Sequence, residues 1–391
     1  MEIEPGFATV RFVVGGSARA ARIGYPRVGR IQTEAHRRAA SSRRKCQNGD
    51  SYSLGAGAQS RWRVAALDVL SQSDRDPAAG SARSSDPTFN PSGEQVEISR
   101  EGQRAVAVEV GGALRSYTVG GREMLDGYAA HERCTGARGQ TLIPWPNRLR
   151  DGTYEFAGRH HQLPLSEPAK HNAIHGLVRW VNWAVVERAG DRVVMGHVLR
   201  PQAGWPFALG LRIAYVLGPA GLLVSTTATN VGPDPCPYGA GAHPYLQLGT
   251  ASVSSLVLQA PGRSHMPADD RGIPTSTERV DGTIFDFLQP RELGATELDT
   301  AYSELLRDDD GLARVRLATA DGSRRVTLWL DEHYRFLMLF TGDSLRNPAR
   351  RRRGLGVEAM TCAPNALQSA DGLRTLAPGE ALTSCWGIAP G

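Results

Sequence analysis

The sequence predicts a large all-β sandwich over residues 87–391, preceded by an extension over residues 1–86 that we expect to be disordered. Short runs in which apolar and polar residues alternate are typical of half-buried antiparallel strands. The 24 prolines and 44 glycines supply frequent turns, and no segment keeps the 3.6-residue apolar period of a long helix. Since no composition break or internal repeat divides residues 87–391, we predict a single domain there.

Residues 1–86 differ in composition from everything that follows. They are rich in Arg, Ser, Ala and Gly and show no sustained apolar period. Such a segment cannot bury enough apolar surface to offset the loss of chain entropy, so disorder is expected. Glu2 and Glu4 occupy the place of the positive charges of a signal peptide, which argues against a targeting role. A dispensable tail or a misassigned start is the favoured interpretation.

The charge distribution disfavours nucleic acid as a partner. Residues 1–86 hold 14 Lys/Arg and 8 Asp/Glu, a net of +6, so the rest of the chain carries −1 of the total of +5. A body of almost no net charge lacks the electrostatic footprint for a phosphate backbone. No apolar run approaches the roughly 18 residues of a membrane helix, so no membrane association is expected. Five cysteines without a Cys-x-x-Cys pair suit the cytoplasm and disfavour a disulfide framework.

Two pairs of strands can be placed by their period of two. Residues 211–217 and 222–228 alternate, and the Gly-Pro-Ala-Gly sequence at 218–221 predicts a hairpin connection. Residues 315–317 and 326–330 flank an Asp-Gly turn at 321–322.

A proline-flanked segment at 144–148, Pro-Trp-Pro-Asn-Arg, is the first candidate for chemistry. The two prolines restrict the backbone, so Asn147 and Arg148 offer several hydrogen-bond donors from a rigid loop. An ordinary solvent-facing turn is the alternative.

The second candidate is a histidine pair, His171 and His175. A spacing of four would align two metal ligands on a helix. Pro168, Gly176 and Ile174 argue against a helix here, so we expect hydrogen-bonding loop histidines and no metal site.

Two further segments carry the remaining titratable candidates. His243 and Tyr245 follow a Gly-Ala-Gly-Ala sequence that permits close approach of a ligand, and a histidine can act as a general acid near neutral pH. Glu358 stands in the apolar stretch 355–360, where a carboxylate is costly unless it is paired or used. The alternatives are a buried histidine satisfied by the backbone and a glutamate that accepts buried backbone donors. The basic run at 350–353 nearby is expected to be a solvated loop.

No nucleophile motif accompanies these residues. The sequence contains no Gly-x-Ser-x-Gly elbow and no Gly-rich phosphate loop before a helix. One carboxylate with several histidines therefore suits proton transfer on a polyhydroxylated ligand better than covalent catalysis.

Taken in order over about residues 88–390, and with the further segments 376–380 and 385–388, these motifs resemble the aldose 1-epimerase (galactose mutarotase) family. The resemblance implies a galactose mutarotase-like β-supersandwich that interconverts the α and β anomers of a free aldohexose without a cofactor. Carried over motif by motif, it implies the following roles: Glu358 as catalytic base, His243 as general acid, His175 as second active-site histidine, and Asn147, Arg148, Asp299 and Tyr245 as sugar-binding residues.

Several alternatives remain open at this stage. Asp281 and Asp286 lie close to Asp299 in sequence and compete for its role. A non-catalytic carbohydrate-binding sandwich would use the binding residues alone. A hexose-6-phosphate 1-epimerase would recruit extra arginines, for which Arg179, Arg212 and Arg271 are candidates. Asp299 would repel a phosphate dianion, which favours an unphosphorylated sugar. The preferred sugar and the oligomeric state are not indicated.

Overall fold

The computed structural model describes residues 89–391, so the predicted disordered extension at 1–86 lies outside the described residues. Within 89–391 the chain is almost entirely strand, and the prediction of an all-β fold is confirmed. One short α-helix, α1 (Ala366–Ser369), and three 3-10 turns (Pro168–Lys170, Val253–Ser255 and Pro348–Arg350) supply the described helical residues.

The strands follow in chain order. The first half of the described chain contains β1 (Gln95–Arg100), β2 (Gln103–Val108), β3 (Leu114–Val119), β4 (Arg122–Glu123), β5 (Thr141–Leu142), β6 (Arg148–Arg150), β7 (Thr153–Phe156), β8 (Arg159–Gln162), β9 (Asn172–Ile174), β10 (Ala184–Ala189), β11 (Arg192–Leu199), β12 (Leu209–Gly218) and β13 (Gly221–Asn230). The second half contains β14 (Cys236–Tyr238), β15 (Gly241–Ala242), β16 (Tyr245–Leu246), β17 (Leu256–Gln259), β18 (Gly262–Met266), β19 (Glu278–Arg279), β20 (Arg291–Glu292), β21 (Asp299–Leu305), β22 (Ala313–Thr319), β23 (Arg325–Leu330), β24 (Phe336–Phe340), β25 (Leu355–Met360), β26 (Arg374–Leu376) and β27 (Ala381–Pro390).

Two large antiparallel sheets form the body of the sandwich. The nine-stranded sheet has the order β10-β11-β12-β13-β27-β23-β22-β17-β20. The eight-stranded sheet has the order β19-β18-β21-β24-β25-β15-β5, and β16 also pairs with β25. Strands β1 to β4 make a smaller sheet, and β6-β9, β7-β8 and β14-β26 are two-stranded pairs.

Both hairpins predicted from alternation are present. Strands β12 and β13 pair along their whole length and close at Gly218 opposite Gly221. The inward residues at 211, 213, 215 and 217 are buried, as the period of two requires. Strands β22 and β23 pair on either side of the predicted turn at 321–322.

The central strand β25 separates the main core from the candidate site. Leu355, Val357 and Ala359 belong to the large apolar cluster of the core. Because side chains alternate along a strand, Glu358 points to the opposite face of the sheet, as does Met360, which packs in a separate small cluster with Met338. The carboxylate is thus held by a rigid strand on the face turned away from the core. No described helix is both long and apolar enough to span a bilayer.

Candidate active site

The centre of the site is a direct contact between His243 and Glu358. Strand β15 pairs with β25 so that Ala242 lies opposite Ala359, which brings the next residue, His243, beside Glu358. The distance from His243 Nε2 to Glu358 Oε1 is 3.2 Å. The two residues are 4% and 3% exposed. Two motifs separated by more than a hundred residues therefore form one buried pair, held by adjacent strands of one sheet.

Two polar atoms of this pair have no protein partner. Glu358 Oε2 and His243 Nδ1 are buried and make no hydrogen bond to any described residue. Buried polar atoms are rarely left unpaired, because an unmade hydrogen bond costs about 1–3 kcal/mol. A glutamate that served only to satisfy buried backbone donors would use both oxygens for that purpose. The geometry therefore favours a pair that faces a ligand over the structural alternative.

The environment reverses the protonation states that ordinary pKa values suggest. Burial, followed by repulsion from Asp299, raises the pKa of Glu358 from 4.5 to about 8, while Arg148 opposes the shift. Burial, assisted by the charges of Arg138 and Arg179, lowers the pKa of His243 from 6.5 to about 3. Both shifts favour the uncharged forms of the two side chains at neutral pH, with the proton of the pair on Glu358.

His175 is oriented by the loop that carries Asn147. Strands β6 and β9 pair with Arg148 opposite Ile174, and the residues just outside this ladder, Asn147 and His175, both adopt left-handed backbone angles of +56° and +62°. The His175 amide donates to the Asn147 carbonyl at 2.9 Å, and the Asn147 amide donates to His175 Nδ1 at 3.2 Å. Burial keeps the pKa of His175 well below its usual value. An imidazole that accepts at Nδ1 and is neutral carries its hydrogen on Nε2.

This tautomer bears on metal binding. One nitrogen or oxygen from each of His175, His243 and Glu358 lies within 4.8 Å of the others, a grouping that is compatible with a metal ion. A metal at His175 Nε2 would require the hydrogen to move to Nδ1, where it would oppose the Asn147 N–H. The hydrogen-bond pattern thus favours His175 as a hydrogen-bond donor over His175 as a ligand.

Arg148 lies at the edge of the site in a fixed orientation. Its Nε and Nη2 donate to the two oxygens of Glu167 at 2.9 and 3.2 Å, a bidentate pair. Its Nη1 lies 3.9 Å from Asp299 Oδ2. Gly272 allows this placement, because a Cβ at that position would lie 2.5 Å from Nη1. Glu167 was not a sequence candidate, since nothing in the local pattern ties it to an arginine 19 residues away.

Of the three candidate aspartates, Asp299 is the one that lies beside Arg148. It begins strand β21 and contacts Arg148, and its charge acts on Glu358. By contrast, Asp281 pairs with Arg279 at the surface, and Asp286 accepts the Leu288 amide within its own loop.

Tyr245 has a different place from the one expected. It is 2% exposed, its ring stacks on His243 with centroids 5.0 Å apart, and its hydroxyl donates to the Gly136 carbonyl at 2.8 Å. A side chain used in this way supports His243 from behind. The structure thus places Tyr245 as a support of His243, and the sugar contact stays a prediction.

The three candidate arginines lie in different surroundings. Arg212 is exposed on β12 and pairs with Glu187. Arg271 is bound by Asp151. Arg179 follows His175 closely and acts electrostatically on both histidines.

Comparisons with known proteins bear on the fold and the family of the described chain. The family model described as Aldose 1-epimerase matches residues 94–386. The uncharacterized protein YihR of Escherichia coli (strain K12) is 31% identical over 290 residues, covering 74% of this chain and 91% of YihR. The crystal structure of the GalM/aldose epimerase homologue from C. elegans is similar with a TM-score of 0.69 at 18% identity, covering 76% of this chain and 98% of that one. The galactose 1-epimerase from Lactobacillus acidophilus NCFM has a TM-score of 0.63 at 19% identity, covering 76% and 98%. The predicted mutarotase-like fold is confirmed.

Proposed function

The chain belongs to the aldose 1-epimerase family, and from this premise we propose that it interconverts the α and β anomers of a free aldohexose. The observation that carries the proposal is the buried contact between His243 and Glu358 at 3.2 Å, with one unpartnered atom on each side chain. Anomer exchange needs one group that accepts a proton and one that donates a proton, both within reach of the same sugar carbon. A pair that shares one proton meets this requirement.

The proposed reaction opens and recloses the sugar ring. Glu358 takes the proton of the C1 hydroxyl, the C1–oxygen bond within the ring breaks as the C1 carbonyl forms, and His243 gives a proton to the ring oxygen. Rotation about the C1–C2 bond presents the other face of the aldehyde, and the reverse transfers close the ring. General acid–base assistance of this kind contributes about 10²- to 10⁴-fold in rate.

One proton shared between the two side chains reconciles this scheme with their pKa values. Before a sugar binds, burial favours a proton on Glu358, because it raises the pKa of Glu358 to about 8 and lowers the pKa of His243 to about 3. Moving that proton along the 3.2 Å contact gives a carboxylate and an imidazolium with no change in total charge. We infer that the hydrogen bonds of a bound sugar stabilise this second form, which is the one that the reaction uses.

The remaining site residues are proposed to orient the sugar. Arg148 and Asp299 present a donor and an acceptor next to each other, 3.9 Å apart, and His175 presents its Nε2 hydrogen. Such alternation of donors and acceptors suits vicinal hydroxyl groups, each of which donates and accepts. Asn147 fixes the orientation of His175 through its backbone. The Asp299 carboxylate disfavours a phosphate dianion on the hydroxyls that it binds.

The cysteines support a proposal for the cellular compartment of the protein. Cys134, Cys236, Cys362 and Cys385, the four described cysteines, are all unpaired. Unpaired thiols suit a reducing environment, so we propose a cytoplasmic enzyme.

Polarimetry tests the proposed function directly, because mutarotation changes optical rotation without changing mass. Freshly dissolved α-D-glucose and α-D-galactose should reach anomeric equilibrium faster with the protein than without it. Heat-inactivated protein at the same concentration is the control. Unchanged rates for both sugars and for further free aldohexoses would refute the proposal.

A further inference from the structure

Behind His243 lies a buried stack that the proposed reaction does not use directly. The Tyr245 ring is nearly parallel to the His243 imidazole, with an angle of 13° between the two planes. On the Tyr245 ring lies Arg138, whose guanidinium carbon is 4.5 Å from the ring centroid. Arg138 is 2% exposed. A guanidinium over an aromatic face is a favourable arrangement that gains strength when both groups are desolvated.

The loop that carries Arg138 holds the same two residues through its backbone. The Gly139 amide donates to the His243 carbonyl at 2.8 Å, and the His243 amide donates to the Gln140 carbonyl at 3.2 Å. The Gly136 carbonyl accepts the Tyr245 hydroxyl. One short loop therefore fixes the main chain of His243, the far end of Tyr245 and the outer surface of the stack.

Arg138 is itself held by a buried carboxylate. Its Nε donates to Asp126 Oδ2 at 3.1 Å, and Asp126 is also paired with Arg350 at 3.0 Å and lies 3.7 Å from Arg353. The Asp126 amide in turn donates to the Tyr245 carbonyl at 2.9 Å. Since Asp126 has other cations, its charge stays compensated when Arg138 is replaced. This makes the contribution of Arg138 to His243 experimentally separable from the stability of the ion network.

We propose, on the basis of the proposed function, that Arg138 and Tyr245 are positioning residues: their stack fixes the plane of the His243 imidazole against Glu358. Before a sugar binds, the Arg138 cation also opposes protonation of that imidazole. The ionisable groups that act on His243 come from every side. Glu358 contacts it from β25, His175 lies edge-on with ring centroids 5.5 Å apart, Tyr245 is stacked on it, and Arg138 and Arg179 act on it electrostatically. Of these groups, Arg138 is the cation that lies over the Tyr245 ring. That ring is stacked on His243 and sets the orientation of the imidazole.

The test compares Arg138→Met with Arg353→Met. Both changes remove an arginine that faces Asp126, but it is Arg138 that lies over the Tyr245 ring. For Arg138→Met we expect kcat to fall about tenfold with KM within about threefold of wild type, because a displaced imidazole misaligns proton transfer. The acid limb of its pH–rate profile should move upward by about half a pH unit or more, since a repelling charge is removed. Arg353→Met should retain the wild-type profile.

A second comparison separates the stack from the ion network. Tyr245→Leu removes the ring and leaves Arg138 paired with Asp126, whereas Tyr245→Phe keeps the ring. Leucine should lower kcat about tenfold, and phenylalanine should recover most of that loss. If Arg138→Met does not fold, this pair of variants decides the question.

Direct titration of His243 by imidazole nitrogen NMR in the ligand-free protein makes the test independent of activity. The Arg138→Met protein should protonate His243 at higher pH than the wild type does. If the wild type lacks mutarotase activity but the titration shifts as described, the proposed function fails and the role of Arg138 stands. Superimposable His243 titrations and pH–rate profiles for wild type and Arg138→Met would overturn the inference.

Discussion

Replacing Glu358 by glutamine should stabilise the protein at alkaline pH, although it removes the proposed catalytic base. In the folded protein the pKa of Glu358 is raised to about 8, whereas an exposed glutamate titrates near 4.5. Between these values the folded state binds a proton that the unfolded state has lost, so stability falls as the pH rises. Glutamine is neutral at every pH and escapes this cost.

The size of the effect can be worked out from the pKa difference. Above about pH 6.5 an unperturbed histidine is mostly neutral, as His243 is in the folded state, so Glu358 dominates the difference between the two proteins. Between about pH 6.5 and the folded pKa of about 8, the difference in unfolding free energy changes by about 1.4 kcal/mol per pH unit. Over this range wild type should therefore lose roughly 2 kcal/mol of unfolding free energy relative to Glu358→Gln. Above that pH the difference should become constant.

Urea unfolding at about pH 6.5, 7.5 and 9 measures this difference, with Glu167→Gln as a control at a carboxylate that is paired with Arg148. The free energy of unfolding of Glu358→Gln should increase relative to that of wild type as the pH rises. A constant difference, or a variant less stable than wild type at all three pH values, would refute the reasoning. That result would mean that Glu358 is ionised in the folded state and satisfies protein donors.

Three further outcomes are expected. The mutarotation rate should be nearly constant from about pH 4 to 7 and fall above about pH 8 as the pair loses its shared proton; a rate that declines below about pH 5 in a folded protein would contradict the assigned proton. Deleting residues 1–86 should leave the melting temperature and the rate unchanged, and a drop of several degrees would show that this segment packs on the sandwich. Glucose 6-phosphate should inhibit no more tightly than glucose, because the proposed sugar-binding carboxylate of Asp299 would repel a phosphate dianion. Tighter inhibition would favour a phosphorylated substrate and Arg179 as the arginine that binds its phosphate.

Much of the fold follows from local patterns in the sequence. The alternation at 211–217 and 222–228 places β12 and β13, because a strand with one buried face must repeat with a period of two. Glu358 stands out for a related reason, since a carboxylate in an apolar strand demands an explanation. Patterns of this kind are carried by residues adjacent in the chain, so sequence alone exposes them.

Features that depend on contacts between distant segments could not be predicted from the sequence. The bidentate partner of Arg148, Glu167, is positioned by a turn before β9, and no periodicity connects the two. The arginines at 350–353, expected in a solvated loop, include Arg350 on buried Asp126 and Arg352 on Asp343. The pKa values of His243 and Glu358 arise from burial in the assembled site, so the pKa values of exposed side chains do not predict which of the two is protonated. Tyr245 shares a sequence motif with His243, and yet its ring is stacked on the His243 imidazole with its hydroxyl bonded to Gly136.

The measurement that tests the central claim most directly is the mutarotation rate of Glu358→Gln beside that of His243→Asn and of the double variant. If the two side chains act as one proton-sharing pair, each single change should lower kcat by about 10²-fold or more with little change in KM. The double variant should be far less impaired than the product of the two effects, because neither transfer is useful without the other. A folded Glu358→Gln protein that equilibrates anomers at the wild-type rate would contradict the account.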